Sequence, residues 1–493
     1  MPLSTAIPTS AVARGTGITT RFESRRRSSV LLLPQRLAVI GQGTTAATYG
    51  TTKAQHTSAA SVGAAYGYGS PLHLAAMQLF PINGDGVGAV PVTFYPLDDA
   101  ASGVASINDV TPVGTASAAA TFYINVAGIV SAPIVVASGA VVAAIVSAAV
   151  AAINSVLEMP VIATDATTKI TLTAKWKGAS SSAFDITVSG PTDAGITFAT
   201  TQATAGTVNP TVDAALAQFG DVWETMVLNC LNLADTTTLE AYRVFGEGRW
   251  APLVRKPLVV FTGNAGVTVG AATAVTSTRT TDRVNVALPA PGSPNLPFVT
   301  AAAQVARIVF LADANPPHDY GGRQMPYITA GADGSQWNYT ERDTAIKAGS
   351  STTEVRDGVV TIGDVVTMYH PSGDPLPAYR YVVDIVKNQN VLYNVARLFT
   401  SPEWDGAPLL PDDQPTNNPT AKKPKMAIAA LAEIIDGLGL AAIISDPETA
   451  KSLLQAEIDS VNPKRLNVSM PYEISGNVNI KSIDLLWSFY VGV

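Results

Sequence analysis

Cysteine, histidine and charge are all scarce in this chain, and the shortage of the first two excludes most metal-binding and catalytic classes. Cys230 is the single cysteine among 493 residues, so neither an internal disulfide nor a cysteine-based metal site can form. The four histidines do not share the close spacing of a zinc-binding helix: His56, His73, His318 and His370. Serine-nucleophile elbows and phosphate-binding P-loops are absent as well. The sequence therefore predicts no enzyme, no cofactor and no metal site.

The shortage of charge has a different consequence. Charged residues make up 14% of the chain, apolar residues make up 47%, and the net charge is -7. Disorder requires the opposite balance, and an acidic chain lacks the positive field that holds nucleic acid or anionic lipid without sequence preference. A chain of this length exceeds one ordinary core, so two to four domains are expected. The composition is typical of a folded protein that hides surface in its cores or against partners.

An unbroken apolar run long enough to cross a bilayer is also missing. Residues 110–157 contain no charge and include the alanine-rich segment GAVVAAIVSAAVAAI at 139–153. A membrane span needs roughly 20 continuous apolar residues, and this dense segment is shorter. Its valines and isoleucines recur at helical spacing. We therefore expect a buried helix in a folded domain and no direct membrane insertion.

A glycine-rich turn follows the first apolar strand and has two interpretations. The segment RLAVIGQGTTAA at 36–47 contains the G-x-G-x-x-A spacing of dinucleotide-binding folds, from Gly41 to Ala46. Such a site also needs an acidic residue about 20 positions later and a helix whose N-terminus faces the phosphates. Residues 54–84 carry no charge, and no helical spacing follows the glycines directly. We therefore interpret the glycines as ending a buried strand.

Patterns of strands and helices alternate on both sides of a region rich in Ala, Thr, Val, Ser and Gly, which indicates an α/β domain interrupted by an insertion. The core is predicted at 28–88 and 206–375, with a β-rich inserted outer domain at 89–205. An arm precedes the core at 1–27, and a C-terminal α+β domain follows at 376–493. The predicted fold class is thus multidomain, α/β and α+β, with a discontinuous α/β core.

Periodicity also predicts individual elements. A continuous apolar run at 257–264 indicates a buried strand, and Asp357-Gly358 indicates a hairpin turn within 354–369. Asp446 is placed to cap the last of the predicted helices. Helical spacing predicts these helices near residues 72–80, 211–227, 301–312, 380–399, 425–435 and 447–459.

The N-terminal region carries few apolar repeats. Its segment GITTRFE at 17–23 has the composition of a strand, and the three arginines at 25–27 follow it. In an acidic chain so short a basic run is more typical of a solvated or interface-paired arm than of a nucleic-acid patch. Residues 1–20 lack the basic and apolar regions of a secretory signal. We expect an arm that does not bind nucleic acid.

The C-terminal region ends in a long apolar alternation. A register slip at Lys481-Ser482 predicts a bulge or a break between two short strands. An apolar strand with an unpaired edge invites aggregation, so this one must pair. It pairs either within its own sheet or by addition to a neighbouring copy. The residues that share one face after the slip are Ile483, Leu485, Trp487, Phe489 and Val491.

Several segments together resemble the contractile-tail sheath proteins of Mu-like myophages. They are VLLLPQRLAVIGQG at 30–43, TAAAQVARIVFLADANPPHDYGG at 300–322, YTERDTAIKAGSSTTEVRDGVVTIGDVVTMYH at 339–370 and NPKRLNVSMPYEISGNVNIKSIDLLWSFYV at 462–491. Their order and spacing agree with that family over most of the chain outside the insert. The resemblance implies a structural virion subunit, assembled in the host cytoplasm, that forms stacked six-membered rings in a helix around the tail tube.

The same resemblance implies how the subunits are linked. In that family N- and C-terminal arms of neighbouring subunits add strands to a sheet of a third, which assigns a C-terminal arm at 478–493 and its residues Ile483, Leu485, Trp487, Phe489 and Val491. The N-terminal arm residues are Ile18, Thr20 and Phe22. The family's C-terminal domain faces the tube, which makes Lys451 a tube-contact candidate.

The implied partners are further copies of the chain, the tail tube protein, and the baseplate and tail terminator proteins, with no nucleic acid. On contraction such a sheath drives the tube through the host envelope. Two alternatives stay open from the sequence: the sheath of a phage-derived bacteriocin or injection system, and another virion structural protein such as a tail tube or capsid subunit. Tube subunits are usually much shorter and built on one small barrel, which disfavours the second.

Overall fold

The computed structural model describes residues 30–487 of the chain. They form two compact units, one of residues 32–401 with 473–487 and one of residues 30–31 with 402–472. Parallel and antiparallel sheets are both present, together with helices. The protein is therefore a mixed α/β protein with several sheets.

The larger unit contains most of the elements. Its strands are β1 (Leu37–Gln42), β2 (Ala54–Gln55), β3 (Val92–Leu97), β4 (Ile107–Gly114), β5 (Ala120–Val126), β6 (Ile129–Val130), β7 (Ile134–Val136), β8 (Val161–Asp165), β9 (Ile170–Ala174), β10 (Ile186–Ser189), β11 (Ile196–Thr204), β12 (Met226–Asn229), β13 (Val259–Asn264), β14 (Asn285–Pro289), β15 (Thr353–Arg356) and β16 (Val359–Ile362). Its helices are α1 (Ala59–Tyr66), α2 (Pro71–Leu79), α3 (Val142–Asn154), α4 (Asp213–Ala217), α5 (Thr236–Trp250), α6 (Val269–Thr273), α7 (Pro297–Ala314), α8 (Tyr339–Lys347) and α9 (Val382–Phe399).

The smaller unit follows α9. It contains helices α10 (Pro424–Leu440) and α11 (Pro447–Ser452) and strands β17 (Ile444–Ser445), β18 (Gln455–Ile458) and β19 (Leu466–Ser469). The chain then returns to the larger unit with β20 (Glu473–Ile474).

A six-stranded sheet organises the larger unit. Its strand order is β14-β13-β12-β1-β3-β2, and all neighbours are parallel except β2, which runs antiparallel to β3 at the edge. Leu37 of β1 lies opposite Met226 of β12 on one side and Val92 of β3 on the other. The run at 257–264, predicted as a buried strand, is β13 in this sheet.

Both faces of this sheet are buried, so successive residues of one strand enter different cores. Leu37 and Val39 join the cluster packed under α2 and α7, whereas Ala38 and Ile40 join the cluster on the opposite face. All four side chains are fully buried. Strands covered on both faces have continuous apolar sequences instead of alternating ones, which explains the uniform run of β1.

Helix α7 is the longest element of the first core. It is long and apolar enough by composition to cross a membrane, but 72% of it is buried inside the protein. Its contacts are with α2 and with β12, β13 and β14. The helix predicted near 301–312 is therefore confirmed as a core helix, four residues longer at its start and two at its end.

The insertion consists of antiparallel strands around one helix. One sheet has the order β11-β4-β9-β8, and the other joins β10, β5 and β6 with β7 also paired to β5. Helix α3 packs against β7 and β8, and buries Ile145, Val146, Ala149 and Ile153. The alanine-rich segment is thus a helix, as predicted, with one face buried and the other exposed.

Two observed elements, β3 and α9, belong to a different part of the fold from the predicted domain in which they fall. Strand β3 lies inside the predicted insert at 89–205 but pairs with β1 in the core sheet, so the antiparallel layers begin only at β4. Helix α9 falls in the predicted C-terminal domain but belongs to the larger unit, because Val382, Val383 and Val386 join the first core. The predicted domain limits themselves stay a prediction.

Two helix predictions were wrong in part. Near 211–227 the helix covers only Asp213–Ala217, and Met226–Asn229 is the buried strand β12. Near 447–459 the helix ends at Ser452, and Gln455–Ile458 is β18, although Asp446 does cap the helix through the N–H of Thr449. Short apolar runs fit a buried strand as well as a helix, so periodicity alone could not separate them.

The glycine-rich turn after β1 is filled by side chains of its own fold. The N–H of Gly43 donates to the Tyr49 hydroxyl at 3.0 Å, and those of Thr44 and Thr45 donate to the carbonyls of Tyr66 and Lys175. The N–H groups that cradle phosphates in nucleotide-binding loops are thus already engaged within the chain. The glycine at 43 is required because a Cβ there would lie 2.3 Å from the Tyr49 ring.

Replacement of Gly43 by alanine tests this explanation. The added methyl group would force Tyr49 away from its hydrogen bond, and we expect a loss of about 1–3 kcal/mol in the free energy of unfolding. Gly50→Ala is the matched control, since a Cβ at Gly50 meets nothing within 4 Å. Urea unfolding of both variants gives the comparison, and equal stabilities would contradict the packing explanation.

Candidate intersubunit interface

The C-terminal segment leaves the larger unit from a point fixed by a buried lysine. Lys387 lies on α9, and its side chain is completely inaccessible to solvent. Its ammonium donates to Asp384 Oδ1 at 3.1 Å, to the carbonyl of Ser475 at 2.5 Å and to Asn477 Oδ1 at 2.6 Å. The Asn477 amide in turn donates to the carbonyl of Pro317 at 2.8 Å.

The three contacts match the donor capacity of the ammonium group. A lysine has three N–H donors and no acceptor, and a buried charge is tolerated only when it is paired and hydrogen-bonded. Asp384 supplies the countercharge from the same helix, and Ser475 and Asn477 supply the other two acceptors. The polar contacts therefore fix the chain at residues 475–477.

One further carboxyl group, that of Asp319, lies near this lysine, and the carboxyl group of Asp364 lies near Asp319. Burial raises the pKa of Asp319, and the charges of His318 and Lys387 oppose the rise. Burial raises the pKa of Asp364 to about 6, with the neighbouring charges of Asp319 and Glu354 adding to the effect and Arg342 opposing it. Burial thus shifts the pKa values of both carboxyl groups upward.

Beyond Asn477 the chain presents a row of apolar side chains to solvent. Described residues 475–487 belong to no helix or strand. Leu485 is 82% exposed, Leu486 93% and Trp487 78%, and Val478 and Ile480 are equally open. An exposed apolar segment of this size is unusual on a folded monomer and marks an interaction surface.

This observation corrects one part of the sequence prediction. The long strand expected after Lys481-Ser482 is not formed in the described part of the segment, and no β-ladder of the same chain includes Ile483, Leu485 or Trp487. A lone extended segment gains no hydrogen bonds by adopting strand geometry, so an isolated chain leaves it irregular. Phe489 and Val491 lie outside the described residues.

The smaller unit contains a two-stranded sheet. Strands β18 and β19 pair antiparallel, with Gln455 opposite Ser469 and Ile458 opposite Leu466. The Asp459 carboxylate accepts the N–H groups of Val461 and Asn462 and so closes the connection. Helix α10 packs against β18. Each strand of a two-stranded sheet has an outer edge whose backbone groups can accept another strand.

The remaining predicted site residues have separate positions. Lys451 lies at the end of α11 and pairs with Asp436 at 2.8 Å and with Glu448 at 2.7 Å. Hydrogen bonds to these two carboxylates raise its pKa. Ile18, Thr20 and Phe22 lie outside the described residues. Among the described residues no group of three or more His, Cys, Asp or Glu side chains is arranged to hold a metal ion.

Sequence reasoning missed the anchor formed by Lys387 and Asn477. The signal was present, because Lys387 stands among Val383, Val386 and Asn390 on the buried side of a helix that is otherwise amphipathic. A lysine on an apolar stripe, three residues after an aspartate, indicates a buried charge that needs further acceptors. Which acceptors it finds, nearly ninety residues later in the chain, could not be read from that pattern.

Asp364→Asn tests the electrostatics of this region. Because the pKa in the folded state lies above the ordinary value of 3.8, the folded state holds its proton more tightly and the free energy of unfolding falls as pH rises from about 4 to about 6. The variant should gain on the order of 1–2 kcal/mol at pH 7 and little at pH 4.5, after allowance for partial exposure. Unfolding at both pH values measures this.

Asp343→Asn is the control, since Asp343 forms only an exposed ion pair with Lys347. It should lose at most about 1 kcal/mol at pH 7. A destabilised Asp364→Asn variant at pH 7 would show that the carboxylate is needed there as a charge.

A comparison with known proteins finds a relative of this chain, which is a tail sheath protein. The Mu-like prophage FluMu tail sheath protein of Haemophilus influenzae is 26% identical over 387 residues, which is 76% of this chain and 77% of the relative. No protein-family model matches the chain.

Solved structures of sheath proteins align over nearly the whole length. The sheath tail protein of Desulfitobacterium hafniense covers 93% of this chain and 100% of its own, at 13% identity and a TM-score of 0.45. The sheath tail protein of Listeria innocua covers 92% and 94%, at 11% and 0.48. The contracted helical sheath of the anti-feeding prophage covers 97% and 99%, at 8% and 0.43. The chain is a homologue of the tail sheath protein of a Mu-like prophage.

Proposed function

We propose that this protein is the subunit of a contractile phage tail sheath, a structural component of the virion and not an enzyme. Copies polymerise as stacked hexameric rings in a helix around the tail tube, and contraction drives the tube through the host envelope. The homology to a tail sheath protein supports the class of function. The observation that supports the mechanism is the exposed apolar segment at 478–487. It follows Asn477, which is hydrogen-bonded to the buried Lys387.

The exposed apolar segment at 478–487 needs a surface to bind. Leaving Ile480, Ile483 and Leu485 in water forfeits the stabilisation that burial gives, roughly 1.5–3 kcal/mol for each fully buried side chain. Their exposure in the single chain is therefore evidence of a partner. In a polymer the most abundant partner surface is another copy of the same chain.

The contact that we propose for this segment is strand addition. A segment with apolar residues at every second position suits addition to a sheet edge, where the backbone supplies hydrogen bonds and alternate side chains enter pockets. The sheet of β18 and β19 in a neighbouring copy is the acceptor we propose. An isolated two-stranded sheet is only marginally stable, so an added strand would stabilise the acceptor as well as the arm.

The arms would link the copies into a polymer. An arm that leaves one copy and enters the sheet of the next makes a head-to-tail contact, and such contacts that do not close generate helical polymers. The N-terminal arm, with Ile18, Thr20 and Phe22, is proposed as a second connection of this type. From the same family resemblance we also propose that Lys451 faces the tube. The further partners that we propose are the tube, baseplate and terminator proteins.

Contraction would follow from a difference in free energy between two lattices of the same subunits. Two lattices of the same subunits differ in the contacts between bodies, and a difference of a few kcal/mol per subunit, summed over a long tail, decides the equilibrium. No nucleotide site is required for this. Strand-exchanged arms keep the copies linked while the bodies move, provided that each arm bends near its root.

Deletion of residues 480–493 tests the arm. The truncated chain keeps Asn477 and its contacts, so we expect a folded monomer that no longer assembles. Negative-stain microscopy of the purified full-length chain should show striated tubes, whereas the truncated chain should stay dispersed. Tubes formed by the truncated chain would show that the arm is dispensable.

A single charge on the apolar face is a finer test. Leu485→Asp places a carboxylate among the side chains that the neighbouring copy would bury, and polymer yield by sedimentation should fall at least about tenfold. Asp484→Ser is the matched control on the opposite face and should assemble normally. Equal loss in both variants would contradict a strand with one buried face.

A further inference from the structure

The junction between the larger unit and the exposed C-terminal segment falls at a single residue. Asn477 is held by Lys387 and by Pro317, whereas the next residue, Val478, is 77% exposed. We propose that Lys387 is a positioning residue that clamps the root of the C-terminal arm at residues 475–477, so that the arm bends only beyond Asn477. This inference rests on the proposed function, because it assigns the place where a linking arm is held.

The geometry makes the clamp a three-way connection. The Lys387 ammonium joins helix α9 to the root through Ser475 and Asn477. The Asn477 amide joins the root to the segment that follows α7, through the carbonyl of Pro317. The root is therefore hydrogen-bonded to helix α9 and to the segment that follows α7. The Lys387 side chain that makes the first connection is inaccessible to solvent.

Release of the root would be costly for a specific reason. If residues 475–477 moved away, the buried ammonium would keep only Asp384 of its three acceptors. Unsatisfied donors on a buried charge are strongly unfavourable. The side chains of Val478 and Ile480, which follow directly, are exposed and are not held by a buried charge. Pulling on the arm would therefore rotate it beyond Asn477 before it displaced the root.

The arrangement suits a contracting lattice. When the bodies of linked subunits move, the reorientation has to be taken up by a few backbone dihedral angles in each arm. A clamp at the root confines that change to the exposed residues after Asn477 and protects the strand pairing at the far end from tilt imposed by the body. Lys387 thus acts on the linkage through the root and does not contact the neighbouring copy.

Lys387→Met tests the clamp, because methionine keeps an unbranched side chain and removes every donor. Hydrogen exchange is measured on the full-length, unassembled protein at low concentration. We expect amide exchange within residues 473–480 to accelerate about tenfold or more, while exchange in β1 stays unchanged. Lys347→Met, which removes an exposed helix lysine paired with Asp343, is the matched control and should leave the root unaffected.

Asn477→Ala provides a second variant that leaves the buried helix intact. It removes the acceptor for Lys387 and the donor to Pro317, so it should also accelerate exchange at the root. Unchanged exchange at 473–480 in both variants would overturn the clamp. Faster exchange in β1 as well as at the root would show a general structural role and would also overturn it.

Assembly of the same variants separates the clamp from the proposed function. If the root exchanges faster and the variants form fewer or irregular tubes, the clamp and its role in linkage are supported. If the unaltered chain forms no tubes at all, the proposed function fails, whereas the exchange result still decides on the clamp. Normal tubes from a variant with a released root would overturn the role of the clamp in linkage.

Discussion

Burial of both faces of the six-stranded sheet is the constraint on which the rest of the subunit depends. Because Leu37 and Val39 enter one core while Ala38 and Ile40 enter the other, the sheet needs helices on both sides. These requirements are met by segments far apart in the sequence, with the whole antiparallel insertion placed between β3 and β12. The larger unit that results contains the apolar material of most of the chain. Among the described residues, the apolar side chains of the segment 478–487 are exposed and lie outside this core.

The contrast between a filled core and an exposed arm explains how a structural protein can act without chemistry. The backbone N–H of Gly43, in the turn after β1, is engaged by a side chain of the same fold, and the described residues contain no group of three or more His, Cys, Asp or Glu arranged to hold a metal ion. In the proposed function the work comes from the free energy of contacts between copies. In the proposed polymer, that free energy is stored in body contacts that can change and is transmitted by arms that stay bound.

Elements decided by local pattern were predictable from the sequence. The helices at α7 and α9, the buried strand β13 and the Asp357-Gly358 hairpin all follow from periodicity or turn chemistry. The errors at 211–227 and 447–459 arose where a short apolar run fits two geometries. In those places tertiary pairing decided, as with β12 between β1 and β13.

The candidate interface divides in the same way. The alternation of Ile483, Leu485 and Trp487 predicts the proposed arm from the sequence alone, because an apolar strand with an unpaired edge needs a partner. The anchor was not accessible by such means, since Lys387 and Asn477 are distant in sequence and meet only in the fold. The strand that we propose to form in the polymer is likewise not formed by the described residues of the single chain.

Crosslinking between copies tests the central claim most directly, namely that the arm enters a neighbouring subunit. Leu485→Cys and Val468→Cys are made on separate chains, mixed before assembly and treated with a short thiol crosslinker. The native thiol does not interfere, because Cys230 is fully buried and burial raises its pKa. The account predicts a crosslinked dimer in the mixture and a ladder of multimers from the chain that carries both cysteines. Crosslinking confined to single chains, with no dimer in the mixture, would contradict it.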